Sequence, residues 1–180
     1  VRDSLPEPTV EVVRVRFEPR PDWMSQAMLT AIARTICPPE ADFPGERFAR
    51  DVYRRAEAVP WFRAVQRVQK RVLDEKGVGE VVVRATYRRP FARVLDLTDH
   101  RAPHTWVVDR YGVLLPDWQP GARDGRLMEI QGVEAPPPDR FGQTWPGEDL
   151  ADALRLVALL EQRDYAREVT VIDVRNHDDR

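Results

Sequence analysis

Along VVRVRF, Val13, Val15 and Phe17 alternate with Arg14 and Arg16, the period-two pattern of a strand with one buried and one solvated face. Pro19 and Pro21 break that run, since proline has no N–H to give to a ladder. Apolar residues return at helical spacing at Met24, Met28, Leu29, Ile32 and Ile36. Asp22 stands where it could cap that helix, and Cys37-Pro38-Pro39 stops it. After a linker through Phe43-Pro44-Gly45, the spacing predicts a second helix from about Glu46, with Phe48, Val52, Tyr53 and Ala56 on one stripe and an exit at Pro60. Two strands follow. The first runs through VPWFRAVQRVQKR; in the second, from Gly79, Val81, Val83 and Ala85 alternate with Val82, Arg84 and Thr86. The stretch from Leu73 to Gly79 is longer than a tight hairpin, so their register is left open.

Pro90 ends this ladder and biases Arg89 away from helix, so the chain turns or passes to a sheet edge there. A polar stretch from Asp96 to His100 leads to TWVVDRYGVLLP, in which Asp109-Arg110-Tyr111-Gly112 separates two apolar runs. A glycine closing a short polar stretch between apolar runs predicts a hairpin. Trp106 and Trp118 flank it and read as packing anchors rather than a ligand cage. From Gly132 to Trp145, with Pro136-Pro137-Pro138 inside, the chain should be extended and exposed, a spacer or a docking segment. EDLADALRLVALLEQ places Leu150, Leu154, Val157, Ala158 and Leu160 together, a helix lying on a sheet. EVTVIDV then alternates Val169, Val171 and Asp173 with Thr170, Ile172 and Val174 before NHDDR.

Sixteen prolines against nine glycines, with 42% hydrophobic and 32% charged residues over 180 positions, describe a loop-rich globular chain, of a size for one domain or two small ones. No stretch approaches the roughly 18 consecutive apolar residues of a membrane span. Cys37 is the single cysteine, so no internal disulfide forms, and a small buried hydrophobe is the reading preferred to a reactive thiol. The net charge of −2 is unevenly divided. Residues 1 to 94 carry 18 Lys and Arg against 13 Asp and Glu, a net of +5; residues 95 to 180 carry 10 against 17, a net of −7. The sign changes near Leu95. The basic half could face anionic headgroups or acidic polymer, although its arginines are spread over several elements.

Catalytic grammar is sparse. His100 and His104 are four apart, with Asp96, Asp99 and Asp109 nearby, which raises a metal-dependent enzyme as one alternative. Pro103 lies between them and no glutamate follows His100, so neither a helical histidine pair nor a zinc-protease signature is formed. GxSxG, P-loop and GxGxxG motifs are missing from the sequence. Strand arginines such as Arg14, Arg84 and Arg88 are not interleaved with aromatics as a nucleic-acid stacking platform requires. Binding of proteins, rather than of nucleic acid, a small-molecule substrate or a cofactor, is the expectation.

The order of pieces from about residue 10 to 174 resembles the extracytoplasmic part of the FtsQ/DivIB family of bacterial cell-division proteins. The pieces are the Pro60-Trp61 exit with its basic strands, the Tyr87-Arg88-Arg89-Pro90-Phe91-Ala92 corner, the Val108-Asp109-Arg110-Tyr111-Gly112 hairpin, Gly132-Val133 after Ile130, and the helix from Pro146-Gly147-Glu148-Asp149. The resemblance implies an α+β fold: a POTRA-like domain over residues 1–94, with a three-stranded sheet and two helices, then a mixed β-domain with one helix over 95–180. The family continues with further strands, so the β-domain is either cut short at its C-terminus or built on a smaller sheet. The resemblance also implies one membrane helix upstream of Val1, in the bacterial inner membrane, with this part in the periplasm. It implies a non-catalytic scaffold of the divisome whose partners are the small bitopic proteins FtsB and FtsL. Strand addition at Thr170, Val171, Ile172, Asp173 and Val174 would bind them, provided that strand has an exposed edge. A POTRA-type module of an outer-membrane assembly or secretion protein is the alternative of the same fold.

Overall fold

In the computed structural model, residues 12–37, 43, 45, 47–72, 78–97, 103–118, 126–164 and 168–175 are described. Among them the chain is α+β, with three α-helices and two mixed sheets of three and five strands. It divides into two compact units between Tyr87 and Arg88.

The first unit begins with β1 (Val12–Glu18), followed by α1 (Gln26–Ile36), α2 (Phe48–Glu57), β2 (Phe62–Val72) and β3 (Val78–Tyr87). Its sheet order is β1-β3-β2, with β1 parallel and β2 antiparallel to β3. As the central strand, β3 hides Val81, Val83 and Ala85 completely, alongside Phe17 of β1. Leu29, Ile32 and Ile36 of α1 and Val52 and Ala56 of α2 supply the helical part of that core. The α1 cap is Ser25, whose hydroxyl accepts from the Met28 N–H at 3.2 Å; Asp22, expected there, lies in the turn before it. Phe43, read as linker, is a core residue, 3% exposed and edge-on to Phe48. A Cβ on Gly79 would come within 2.6 Å of its ring, so a glycine is required beneath it. Cys37 is half-buried rather than fully enclosed, and loss of hydration pushes its thiol pKa up. The register left open by the sequence runs from Phe62 opposite Tyr87 to Val72 opposite Gly79, with irregularities at Arg63 and Gln66.

The second unit contains β4 (Pro90–Asp96), β5 (His104–Asp109), β6 (Leu114–Leu115), β7 (Met128–Gln131), α3 (Glu148–Leu160) and β8 (Val171–Asp173). Its sheet order is β6-β5-β4-β7-β8. The β3 ladder does end ahead of Pro90, at Tyr87, but the expected sheet edge is corrected: the proline opens β4, a strand paired on both sides, with antiparallel β5 and parallel β7. Proline is tolerated at the first position of a strand, where the ladder does not yet need its N–H. Because Arg88, Arg89 and Arg93 belong to this unit, the charges recount as 15 Lys and Arg against 13 acids before the division and 13 against 17 after it. The asymmetry shrinks to +2 and −4, and its change of sign near Leu95 falls inside β4.

α3 carries the chain between the parallel strands β7 and β8, the crossover that parallel pairing demands. Its Leu150, Ala153, Leu154 and Val157 join Ala92, Val94, Val108, Leu114, Ile130 and Ile172 in one core. The segment from Gly132 to Trp145 is less exposed than its prolines suggest. Pro137 and Pro138 are half-buried, Trp145 is buried, and its indole N–H donates to the Ala135 carbonyl at 2.9 Å.

Candidate functional site

Asp109 sets the hairpin of the second unit. Its Oδ1 accepts the N–H groups of Tyr111 and Val113 at 2.8 and 2.9 Å, and its Oδ2 meets Arg88 Nη1 at 3.0 Å. Gly112 closes the turn at φ +73, a conformation glycine adopts without penalty. In the same unit, the buried Asp149 accepts the Leu150 N–H through Oδ1 and the Glu134 N–H through Oδ2. That carboxylate sits at the positive end of α3 and ties the segment after β7 to the helix start. These two buried acids were not singled out by the sequence; a polar residue at the close of an apolar run was their only signal.

Among the described residues, β8 lies at the margin of the sheet. It pairs only with β7, Val171 opposite Glu129, Ile172 opposite Ile130 and Asp173 opposite Gln131. The Glu129 N–H donates to the Thr170 carbonyl and the Val174 N–H to the Gln131 carbonyl, both at 2.9 Å. Thr170, Ile172 and Val174 therefore turn their main chain toward β7. Since successive peptide groups of a strand point opposite ways, the N–H and C=O of Val171 and Asp173 face away from it. The five residues expected to form the binding strand are thus brought into one short edge, of which Val171–Asp173 is regular strand.

The side chains of this edge divide by face. Ile172 is buried, 8% exposed, in the core under α3, whereas Val171 is 45% exposed on the opposite face. Asp173 is bonded by Arg175, which donates from its backbone N–H at 3.1 Å and from Nε at 2.9 and 3.0 Å to the two carboxylate oxygens, with a further ion pair through Nη2. Those bonds hold its carboxyl below the ordinary aspartate pKa. A charged pair beside an open edge discourages indiscriminate pairing. Gly132, at φ +81, lets Arg175 approach, for a Cβ there would lie 2.3 Å from Arg175 Cγ. Sequence reasoning did not single out Gly132 for this role, nor Arg175.

The metal alternative divides differently. His104 is exposed on β5, its ring centroid 4.1 Å from that of Trp106, and Trp106 Nε1 donates to Asp96 at 3.3 Å. His100 and His177 lie outside the described residues. Among the described residues, no three His, Cys, Asp or Glu side chains gather as a ligand set, and no helix is long and apolar enough to cross a membrane. Comparison with models of known protein families and with curated proteins gives no match.

Proposed function

We propose that this chain is a non-catalytic scaffold ectodomain of a bacterial cell-division membrane protein of the FtsQ/DivIB type, and that it binds bitopic partner proteins by accepting a strand at β8. The observation that carries the reading is the outward main chain of Val171 and Asp173 at the margin of the second sheet. A partner strand laid there gains ladder hydrogen bonds, while the exposed Val171 supplies side-chain selectivity on its face. The element order β1-α1-α2-β2-β3 with sheet order β1-β3-β2 supports a POTRA-like first unit. The following mixed sheet with its single helix supports a β-domain, and favours this reading over a POTRA module of an outer-membrane assembly protein. On this reading the chain works in the periplasm, held to the inner membrane by an upstream helix, next to FtsB and FtsL.

The test is capture of the ectodomains of FtsB and FtsL by the full-length protein and by its Val171→Pro variant. The Val171 N–H points away from β7, so proline removes a donor from the open edge while leaving the β7 ladder intact. Capture by the native chain with at least a tenfold loss for the variant is expected, about the 1.4 kcal/mol of one main-chain hydrogen bond and its desolvated partner. No capture by the native chain overturns the division reading, and undiminished capture by the variant overturns strand addition at β8.

A further inference from the structure

Register places a basic patch on the first sheet. Residues opposite one another in a ladder share a face, so the pairings of β3 with its two neighbours sort the strands into two sides. Val81, Val83 and Ala85 lie on the side under Phe43, which sits over Gly79 and packs on Phe48 of α2. On the other side stand five exposed arginines: Arg14 and Arg16 of β1, Arg84 of β3, and Arg67 and Arg71 of β2. Among the described residues, Glu18 and Glu80 are the acids of that side, for a net of three positive charges. Arg16 pairs with Glu18 at 3.0 Å and Glu80 at 3.5 Å, and Arg84 with Glu18 at 3.3 Å. Arg14, Arg67 and Arg71 form no ion pair among the described residues.

Two features set this face apart from a merely solvated one. Arg67 stands directly opposite Arg84 across the antiparallel ladder, and like charges in that position oppose folding. Val82, at the centre between Arg16 and Gln69, is only 3% exposed, as an apolar residue is when long polar side chains lay their stems across it. In the ladder rows, Arg67 stands beside Arg84 at about 4.8 Å, Arg14 and Arg16 follow one another along β1 at roughly 6.8 Å, and Arg14 and Arg71 flank Glu80. Guanidinium chemistry suits phosphate oxygens, which arginine binds through paired donors.

The geometry points to a bilayer surface rich in anionic phospholipid as the occupant of this face. Among the described residues, the aromatic members of these ladders, Phe17, Phe62 and Tyr87, fall on the opposite side, so bases have nothing to stack on beside the arginines. Headgroups, free to move laterally, can gather beneath the fixed arginines, each adding about fivefold to partitioning. The inference goes beyond the strand-addition reading and stands apart from it: it concerns the other unit and is read by a different assay, so either can fail alone.

The experiment is sedimentation of the full chain with vesicles of phosphatidylcholine, with and without phosphatidylglycerol, at low and high salt. Binding that needs the anionic lipid and weakens with salt is expected. Replacing Arg14, Arg67 and Arg71 together by alanine lowers partitioning about a hundredfold. The same charge change made on α2 and its entry, Arg47→Ala with Arg50→Ala and Arg54→Ala, leaves it within about threefold. Arg67→Gln alone, which relieves the like-charge pair and so keeps the sheet folded, lowers it about fivefold. Equal binding to uncharged vesicles, no binding, equal loss in the α2 variant, or preference for an oligonucleotide over vesicles at the same phosphate concentration overturns the proposal.

Discussion

Replacing Gly132 by alanine tests how β8 is held at the margin of the second sheet. Gly132 has φ +81, where an added Cβ crowds its own backbone at a cost of about 1–2 kcal/mol. The same Cβ would lie 2.3 Å from Arg175 Cγ and 2.8 Å from the Arg175 backbone nitrogen. The side-chain atom can swing aside; the nitrogen cannot move without carrying the end of β8 with it. That movement strains the bond from the Val174 N–H to the Gln131 carbonyl, a main-chain bond of about 1 kcal/mol net. The sum is about 2–3 kcal/mol, so the end of the β7–β8 ladder should open about 30- to 150-fold more often. Amide hydrogen exchange at Ile172 and Val174 reads this directly. Gly142→Ala is the control, with φ +89 at an exposed position, where backbone strain arises away from β8. Unchanged exchange at Val174 in Gly132→Ala, or the same acceleration in Gly142→Ala, refutes the reasoning.

Arg88→Met leaves Asp109, whose side chain is 3% exposed, without its cation, though the Tyr111 and Val113 N–H groups still reach it. A loss of about 2–4 kcal/mol is expected in urea unfolding followed by tryptophan fluorescence, with part recovered when Asp109→Asn is added; an additive double variant would sink the argument. Burial pushes the Tyr87 phenol pKa up to about 12, and among the described residues its oxygen has no hydrogen-bond partner. The folded state thus holds the proton more tightly than an unfolded phenol at about 10, so this stabilisation is complete below pH about 10 and fades as pH rises toward 12. Ultraviolet titration should find one tyrosine that ionises near 12 and disappears in Tyr87→Phe; a Tyr87 that ionises near 10 contradicts it.

The first unit was largely legible because β1, β3 and the two helices each show a clean period, whereas β2 is interrupted at Arg63 and Gln66. Val13, Val15 and Phe17, half-buried to buried, then the buried Ile32 and Ile36, then the buried Val81, Val83 and Ala85 each declare one side. In β4 the same alternation is present, with Ala92 and Val94 buried between Phe91, Arg93 and Leu95, but Pro90 at its head disguised it as a corner. Leading prolines break ladders only where an N–H is needed, and that need depends on the neighbouring strand. Phe43 reads as linker in the sequence because an isolated aromatic between prolines has no period to place it; its partner, Gly79, lies far along the chain.

For the candidate site, local pattern marked Thr170 to Val174 as strand and split its residues correctly between faces, since alternation along a strand follows from covalent geometry alone. It could not say which strand lies beside it. Neighbours in a sheet are chosen by long-range packing, so the order β6-β5-β4-β7-β8, the outward main chain of Val171 and Asp173, and the gathering of five arginines on one face of the first sheet emerged with the folded chain. An edge is defined by a missing neighbour, and no residue encodes that by itself.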